Sequence, residues 1–440
     1  MPPAHEDRPL GRLDRAFGLT AHGTSAKTEV LAGITTFLTM AYILFVNPSI
    51  LAAAGMPEGP VFVATAVAAI AGTLIMAFAA NYPIALAPGM GLNAFFAFTV
   101  VLADGFSWQE ALAAVFCSGV IFVAISLIGL RRIIIDAIPA NLKRAISAGI
   151  GLFLGLIAME NAGIVVDSSA TLVTAGNFAS APVILALVGF ALIAALNAIG
   201  LVGGTIIGIL VVTILGVPFG LVEFGGVVSL PPDPTPTLFA LDFARVATGT
   251  FWIVVFSLLL VDVFDTAGTL LGVSSRAGLL DKDGRLPRMR QALFADSTAT
   301  VIGSLVGTSN TTSYVESATG VAAGGRTGLT GVTVAALFAL ALLFSPLAAA
   351  IPPYATAGAL LFVATIMLQG LAEMDWTDPT EVAPAAVCAL GMPFTYSISE
   401  GIGLGFVTYV MVKLFSGRIG DLSPGVVVIA VVFGAFFIYG

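Results

Sequence analysis

Long apolar runs, broken by short clusters of charge, proline and glycine, alternate along nearly the whole chain. A helix needs about 20 apolar residues to cross the hydrocarbon core of a bilayer. In the first half the runs predict membrane helices at 28–51, 61–80, 109–130, 145–162, 182–199 and 203–217. The second half predicts them at 255–273, 292–306, 331–350, 354–371, 382–392 and 398–414, and a last apolar run covers 425–439. Stretches such as ALLFVATIMLQG lack the polar–apolar alternation of barrel strands, which argues against a β-barrel.

Two further segments are interrupted. In NYPIALAPGMGLNAFFAFTVV, Pro83 and Pro88 oppose a continuous helix. Ile84–Ala87 therefore reads as an extended lead-in, followed by a helix from near Gly89 to Val101. That helix has about 12 residues and spans about 18 Å, roughly half a bilayer. Gly307–Ser313 is rich in Ser, Thr and Asn, and Tyr314–Ala323 is again only a short helix. These are the third and tenth of about fourteen segments, so the chain divides into two halves of seven. Seven is odd, which gives the halves inverted topology, with a site where the broken helices meet. The stretches GGTIIGILVVTILG and EGIGLGFVTYVMVKLFSG echo one another across the halves.

Composition agrees with this plan. Hydrophobic residues are 58% of the 440 and charged residues 10%, against roughly 25% charged in soluble domains. The fold class is therefore an all-α polytopic membrane protein. The net charge of −8 says little, because orientation follows Lys and Arg placement. With the N-terminus inside, every Lys and Arg except Arg245 falls on the inner side, including Arg8, Arg131, Arg132, Lys143, Arg144, Lys413 and Arg418. Residues 1–27 form a polar cytosolic tail with a short amphipathic helix near Leu13–Leu19, and they lack the apolar core of a signal peptide. Cys117 and Cys388 lie in apolar runs and read as small buried hydrophobes. The two histidines, His5 and His22, lie in the tail, so proton chemistry inside the membrane must use carboxylates.

Carboxylates inside membrane helices are costly and mark function by default. In Val255–Val273, Asp262, Asp265 and Thr269 share one helical face, while Val261 and Phe264 are free to face protein or lipid. Both half-helices begin near the midplane, where their free N–H groups point into the gap between them. Glu316 opens the second half-helix, next to Asn310, Thr311, Thr312, Tyr314 and Val315; Asn93 lies in the first turn of the first, followed by Phe95, Phe96 and Phe98. Acids, amides and rings together suit a flat polar heterocycle. The competing readings are plainer: Asp262, Asp265 or Glu316 as a brace for the bundle, Asn93 as a helix cap, the phenylalanines as packing, and Asp296 as a first-turn cap of its helix. Glu160 and Glu400, at segment ends, read as solvated. Gly324–Gly325 reads as a helix C-terminus. APGMGLN lacks the Lys-Ser/Thr ending of a phosphate loop.

The blocks TEVLAGITTFLTMAYILFVNPSIL, APGMGLNAFF, DVFDTAGTL, ADSTATVIGSLVGTSNTTSYVESATGV and PFTYSISEGIG resemble the AzgA-like purine permeases, a branch of the nucleobase–cation symporters that also contains uracil and xanthine permeases. The resemblance runs from about Leu19 to Leu422. It implies fourteen segments in two inverted repeats, split into a core domain (28–130 and 251–350) and a gate domain (145–217 and 354–440). It also implies proton-coupled uptake, often by homodimers. Asp265 and Glu316 match the two acids that hold the base in uracil permeases, and Tyr314 and Val315 the residues before the second acid. Thr269 stands where uracil permeases have a histidine, which leaves the proton to Asp262, Asp265 or Glu316. The purine branch also implies roles for Asn93 and Asp262.

The expectation is a proton symporter of hypoxanthine, guanine and adenine in the cytoplasmic membrane, working by alternating access. Its base site would draw on Asp265, Glu316, Asn93, Tyr314, Val315, Thr269 and Phe95. The competing expectation is an anion carrier or channel of the sulfate-permease type, which the two acids oppose. No metal-ligand cluster or nucleophile–base pair suggests an enzyme, and nothing in the sequence calls for a cofactor or a nucleic-acid partner.

Overall fold

The structure, a computed structural model, describes residues 11–128, 138–169, 171–282 and 285–439. His5, Arg8, Arg131 and Arg132 lie outside the described residues. The chain is helical wherever the apolar runs are long. The first group is α1 (Arg12–Phe17), α2 (Ala26–Met40), α3 (Ile43–Ala53) and α4 (Glu58–Ile75). Strand β1 (Leu86–Pro88) follows, then α5 (Met90–Ala94), which continues as a π-helical turn to Ala103, then α6 (Trp108–Ile128). The next group is α7 (Ala140–Asn161), a hairpin of β2 (Val165–Ser168) and β3 (Leu172–Ala175), α8 (Ala181–Ala198) and α9 (Gly204–Gly216). A long irregular connection leads to α10 (Gly249–Arg276) and α11 (Met289–Val306). Then come β4 (Thr311–Ser313), α12 (Ser317–Ala322), α13 (Gly328–Ala341) and α14 (Ser345–Ala349). The last group is α15 (Pro353–Met367), α16 (Pro379–Thr395), α17 (Ile398–Phe415) and α18 (Pro424–Tyr439). Among the described residues, nine helices are long and apolar enough to cross a membrane.

Local chemistry sets the boundaries. Hydroxyl and carboxylate side chains cap helix starts: Ser25 before α2, Thr248 before α10, Thr327 before α13, Asp378 before α16 and Ser397 before α17. The helices pack in two groups. In one, α2 lies against α13, and α11 against α4 and α6. In the other, α7 lies against α15 and α16, and α8 against α9 and α15. Small residues permit the close approaches, as expected without a hydrophobic drive between helices. A Cβ on Gly72 of α4 would sit 2.6 Å from the Ala299 methyl of α11.

Both interrupted segments are present as a strand followed by a short helix, and the two strands pair with each other. β1 runs antiparallel to β4, with Leu86 opposite Ser313, Ala87 opposite Thr312 and Pro88 opposite Thr311. Extended backbone at this depth must be satisfied internally. The Gly89 and Tyr314 amides donate to the Asn310 and Ala85 carbonyls at 3.0 and 2.9 Å. The Leu86 amide donates to the Thr73 hydroxyl and the Ala85 amide to the Ser317 hydroxyl. Gly89 is required by the crossing, because a Cβ there would lie 2.7 Å from Thr312 Cγ2.

Several boundaries differ from expectation. Helix α11 starts at Met289 rather than near Ala292, so Asp296 lies two turns in, and it is buried rather than capping. Lys143 and Arg144 belong to α7, not to a loop. The second half-helix proper is Ser317–Ala322, shorter than Tyr314–Ala323. Near the C-terminus, α16 and α17 form a tight pair joined at Tyr396, whose φ is 56°. The last apolar run is a separate helix, α18, packed on α17 and touching α10 through the Phe256 and Phe433 rings.

Candidate functional site

A cavity of about 560 Å³ lies where α10, α12, α5 and α7 converge. Asp265, Thr269 and Phe264 of α10 line it, with Val315 before α12 and Gly91 of α5. Its mouth carries Arg144 and the exposed Glu373, with Lys143 beside them. Arg144 and Glu373 pair there at 3.7 Å. Asp265 is exposed to the cavity, as is Val315. Phe264, read as facing protein or lipid, instead lines the cavity, and the Lys143 ammonium sits 5.8 Å from its ring centre. Val261 lines it as well.

Glu316 takes the N-cap position of α12 beside Val315 and is half-buried. Its carboxylate accepts from the Tyr42 hydroxyl at 2.5 Å. Tyr314 is buried, and its hydroxyl donates to the Pro88 carbonyl at 2.5 Å, tying the second unit to the first strand.

The other expected residues lie behind the cavity. Residues three apart on a helix point about 60° apart, enough for a packed neighbour to separate Asp262 from Asp265. Asp262 is 1% exposed and accepts from Asn310 Nδ2 at 2.9 Å and from Thr300 Oγ1 at 3.1 Å, so it does not line the cavity with Thr269. Asn93 is fully buried and is not a cap, because Gly89 holds that position. Its Oδ1 accepts a hydrogen bond from Ser309. Phe95 is fully buried in the aliphatic core, off the cavity lining.

Sequence reasoning missed a buried network that holds β4. Asp296 accepts from Thr266 at 2.7 Å and from Ser313 at 2.8 Å, and Thr266 also meets the Thr312 hydroxyl at 2.8 Å. Thr266 lies one turn from Asp262, so a Ser/Thr stripe facing two intramembrane acids was the available signal. Glu160, read as solvated, accepts from the Tyr396 hydroxyl at 2.7 Å. Asp104 lies in the turn after the first half-helix. Burial first, then the Glu400 carboxylate, push its pKa up to about 6, and Arg245 partly opposes this. Arg245 pairs with Glu110 at 3.3 Å and covers the Phe106 ring.

Among the described residues, no group of His, Cys, Asp and Glu is placed to hold a metal ion. The arrangement is a cavity with one exposed carboxylate in its lining, a second carboxylate at a helix tip, and a hydrogen-bonded scaffold behind them.

Residues 27–404 match the Permease family, Xan_ur_permease. The adenine permease AdeP of Escherichia coli (strain K12) is 47% identical over 427 residues, covering 96% of this chain and 95% of AdeP. The guanine/hypoxanthine permease PbuO of Bacillus subtilis (strain 168) is 47% identical, covering 95% of this chain and 98% of its own. The nucleobase transporter PlAzg2 of Paenibacillus larvae is 34% identical over 88% of this chain and 77% of its own. Among solved structures, the transmembrane domain of the cyanobacterial bicarbonate transporter BicA superposes with a TM-score of 0.65 at 15% identity, covering 86% of this chain and 97% of that one. SLC26A9 gives 0.66 at 12% identity, covering 94% of this chain and 73% of its own. At those identities the likeness concerns the fold alone.

Proposed function

This chain belongs to the Xan_ur_permease family, and from that premise we propose that it carries purine nucleobases across the cytoplasmic membrane. The family is one of permeases, so the chain is a transport protein and not an enzyme. The candidate cargoes are adenine, guanine and hypoxanthine, the bases named for relatives 47% identical over nearly the full length. One observation of the structure carries the reading: the carboxylate of Asp265 faces a cavity of about 560 Å³, with Glu316 at the adjoining helix tip. That volume suits a small ligand. Two carboxylates accept from ring and exocyclic N–H groups, Thr269 gives or accepts, and the Phe264 ring is available to stack. Asn93 and Tyr314 act from behind, through the strands they brace.

Transport is driven by protons in this reading. One of Asp262, Asp265 and Glu316 takes up the proton, and the helix group of α7–α9 and α15–α17 moves past the group holding the strands. The N-terminus and the cavity mouth face the cytoplasm, since all Lys and Arg but Arg245 fall on that side. A homodimer completes the proposal. The anion-carrier reading is weaker, because ionised Asp265 and Glu316 would repel an anion at the cavity.

The test is uptake of radiolabelled hypoxanthine, guanine and adenine by a purine-transport-deficient bacterium expressing the chain, with competing bases and sulfate. Saturable uptake blocked by unlabelled bases and untouched by sulfate is expected. Competition by sulfate without competition by bases would reverse the assignment. In proteoliposomes, an imposed inward proton gradient is expected to drive accumulation of the base, and accumulation unaffected by collapsing that gradient would remove the coupling.

A further inference from the structure

One face of the first membrane segment lies along the second half-helix and ends on its carboxylate. Thr36 and Thr39 of α2, and Tyr42 in the break before α3, each meet the second half-helix or its carboxylate. The contact is close. A Cβ on Gly320 of α12 would sit 2.0 Å from Thr36 Oγ1 and 2.7 Å from the Ala32 carbonyl, so only glycine admits the neighbour at this distance. The Thr39 hydroxyl meets the Thr319 hydroxyl at 3.0 Å, and Thr319 in turn donates to the Glu316 carbonyl at 2.7 Å. At the end of the row, Tyr42 is 2% exposed and its hydroxyl donates to Glu316 Oε1 at 2.5 Å. That distance is in the range of a hydroxyl–carboxylate bond, stronger than a neutral one.

A buried tyrosine hydroxyl needs a partner, and 274 residues separate this one from its acceptor. The bond therefore adds a side-chain link at the carboxylate to a packing contact that Gly320 and the Thr39–Thr319 pair already make close. It also divides the work of the carboxylate. One oxygen accepts from Tyr42, which restricts rotation of the carboxylate, and Glu316 is half-buried next to Val315 of the cavity lining, so the second oxygen is the one left for a ligand N–H in this reading. A carboxylate free to rotate would lose part of its binding free energy to ordering on each binding event.

We propose that Tyr42 is a positioning residue for base recognition: it holds Glu316 by one oxygen so that the other meets an N–H of the purine ring. The proposal rests on the purine reading above. Tyr42 touches no base itself, and its effect passes wholly through Glu316.

The experiment measures hypoxanthine affinity by calorimetry on the purified, detergent-solubilised full chain, for the unmodified protein, Tyr42→Phe, Glu316→Asp and the double variant. Phenylalanine keeps the ring and removes only the donor, so the melting temperature is expected to stay close to that of the parent while Kd rises about 10-fold. In uptake, KM is expected to rise with it while the maximal rate per molecule changes less than about two-fold. Aspartate is one methylene shorter and leaves the phenol without its partner, so adding Tyr42→Phe to Glu316→Asp is expected to cost less than about two-fold more. An unchanged Kd in Tyr42→Phe, or the same 10-fold loss on the Glu316→Asp background, overturns the proposal in favour of a purely structural tyrosine. If Tyr42→Phe does not accumulate, Tyr42→Leu replaces it; that variant also removes the hydroxyl that meets Glu316 Oε1 and is expected to raise Kd in the same direction, and an unchanged Kd overturns the proposal. Failure of the unmodified chain to bind adenine, guanine or hypoxanthine is a separate result: it overturns the purine reading itself, and the role of Tyr42 falls with it.

Discussion

The two strand–half-helix units do the same topological job with opposite chemistry. The first is held by packing: Leu86, Ala94, Phe95, Phe96 and Val100 are all fully buried, and its helical part runs from Met90 to Ala103. The second is held by hydrogen bonds: Thr308, Ser309, Asn310, Thr311 and Ser317 are equally buried yet polar, and its helix is only Ser317–Ala322. Buried polar groups need partners: α10 and α11 supply Asp262 to Asn310, Thr300 to Thr311, Thr266 to Thr312 and Asp296 to Ser313, while Asn47 meets Thr308, Asn93 meets Ser309 and the Ala85 amide meets Ser317. A packed unit is insensitive to protonation. A unit whose position depends on two buried acids can respond to it, and that unit also carries Glu316. In the proposed proton-driven carrier the titratable side chains therefore concentrate on and behind the second unit, while the first serves as its wall.

The sharpest way to break this comparison is to damage each unit in its own currency. Phe95→Ala removes a fully buried ring from the first unit and is expected to cost about 3–5 kcal/mol of stability. The protein that remains folded should bind base as before. Lost affinity with an unchanged unfolding midpoint would return Phe95 to the binding site, where the sequence reading had it. Asp296→Ala strands the buried Ser313 hydroxyl and takes from Thr266 one of its two partners, leaving it Thr312, at about 1–3 kcal/mol in all. Here stability and affinity should fall together, because β4 aims Glu316. If calorimetry shows normal affinity in the folded fraction, the network is scaffold only.

Glu316→Gln is the next smaller effect. It keeps the size and one acceptor and removes the charge, so hypoxanthine affinity is expected to fall about 10- to 100-fold, the value of a hydrogen bond to a charged group. Little change in melting temperature is expected, because Glu316 is only half-buried. Asn93→Ala, the corresponding change on the first unit, is expected to act on stability more than on affinity, since Asn93 is buried behind the cavity against Ser309. Equal affinity losses at Glu316 and Asn93 would erase the distinction between the units.

How much of this was legible beforehand follows from the kind of signal each feature leaves. Pro83 and Pro88 forbid a helix outright, and the Ser/Thr/Asn cluster before Tyr314 disfavours one, so both interruptions could be read from the sequence. That the two strands pair with each other could not, because three-residue strands have no period to read. Asp296 was misplaced for a local reason. The stretch RLPRMRQ looks like loop because it is charged, yet the helix begins inside it at Met289, which carries Asp296 two turns into the bundle. Lys143 and Arg144 were misread the same way and proved to be helical residues at the cavity mouth. Tyr42 left no trace, since a single tyrosine in an apolar run looks like packing until its partner, 274 residues away, is seen.

The smallest expected effect lies at the far end of the first unit. Asp104, in the turn after the half-helix, faces Glu400 from α17, with Arg245 of the long connection as the opposing charge. Its carboxyl is raised to about 6 by burial and by Glu400. A raised carboxyl pKa means that the native contact is fully favourable below the unfolded value near 4 and loses that advantage as pH rises through about 6. The first unit, insensitive to protons along its packed length, is thus pH-sensitive at this end alone. Asp104→Asn keeps the shape and removes the titration. The parent is expected to lose about 1 °C in melting temperature between pH 5 and pH 7.5 relative to Asp104→Asn, after allowing for the partial exposure of the group. Parallel melting curves for the two proteins across that range would show that Arg245 already neutralises the site, and that no part of the first unit answers to pH.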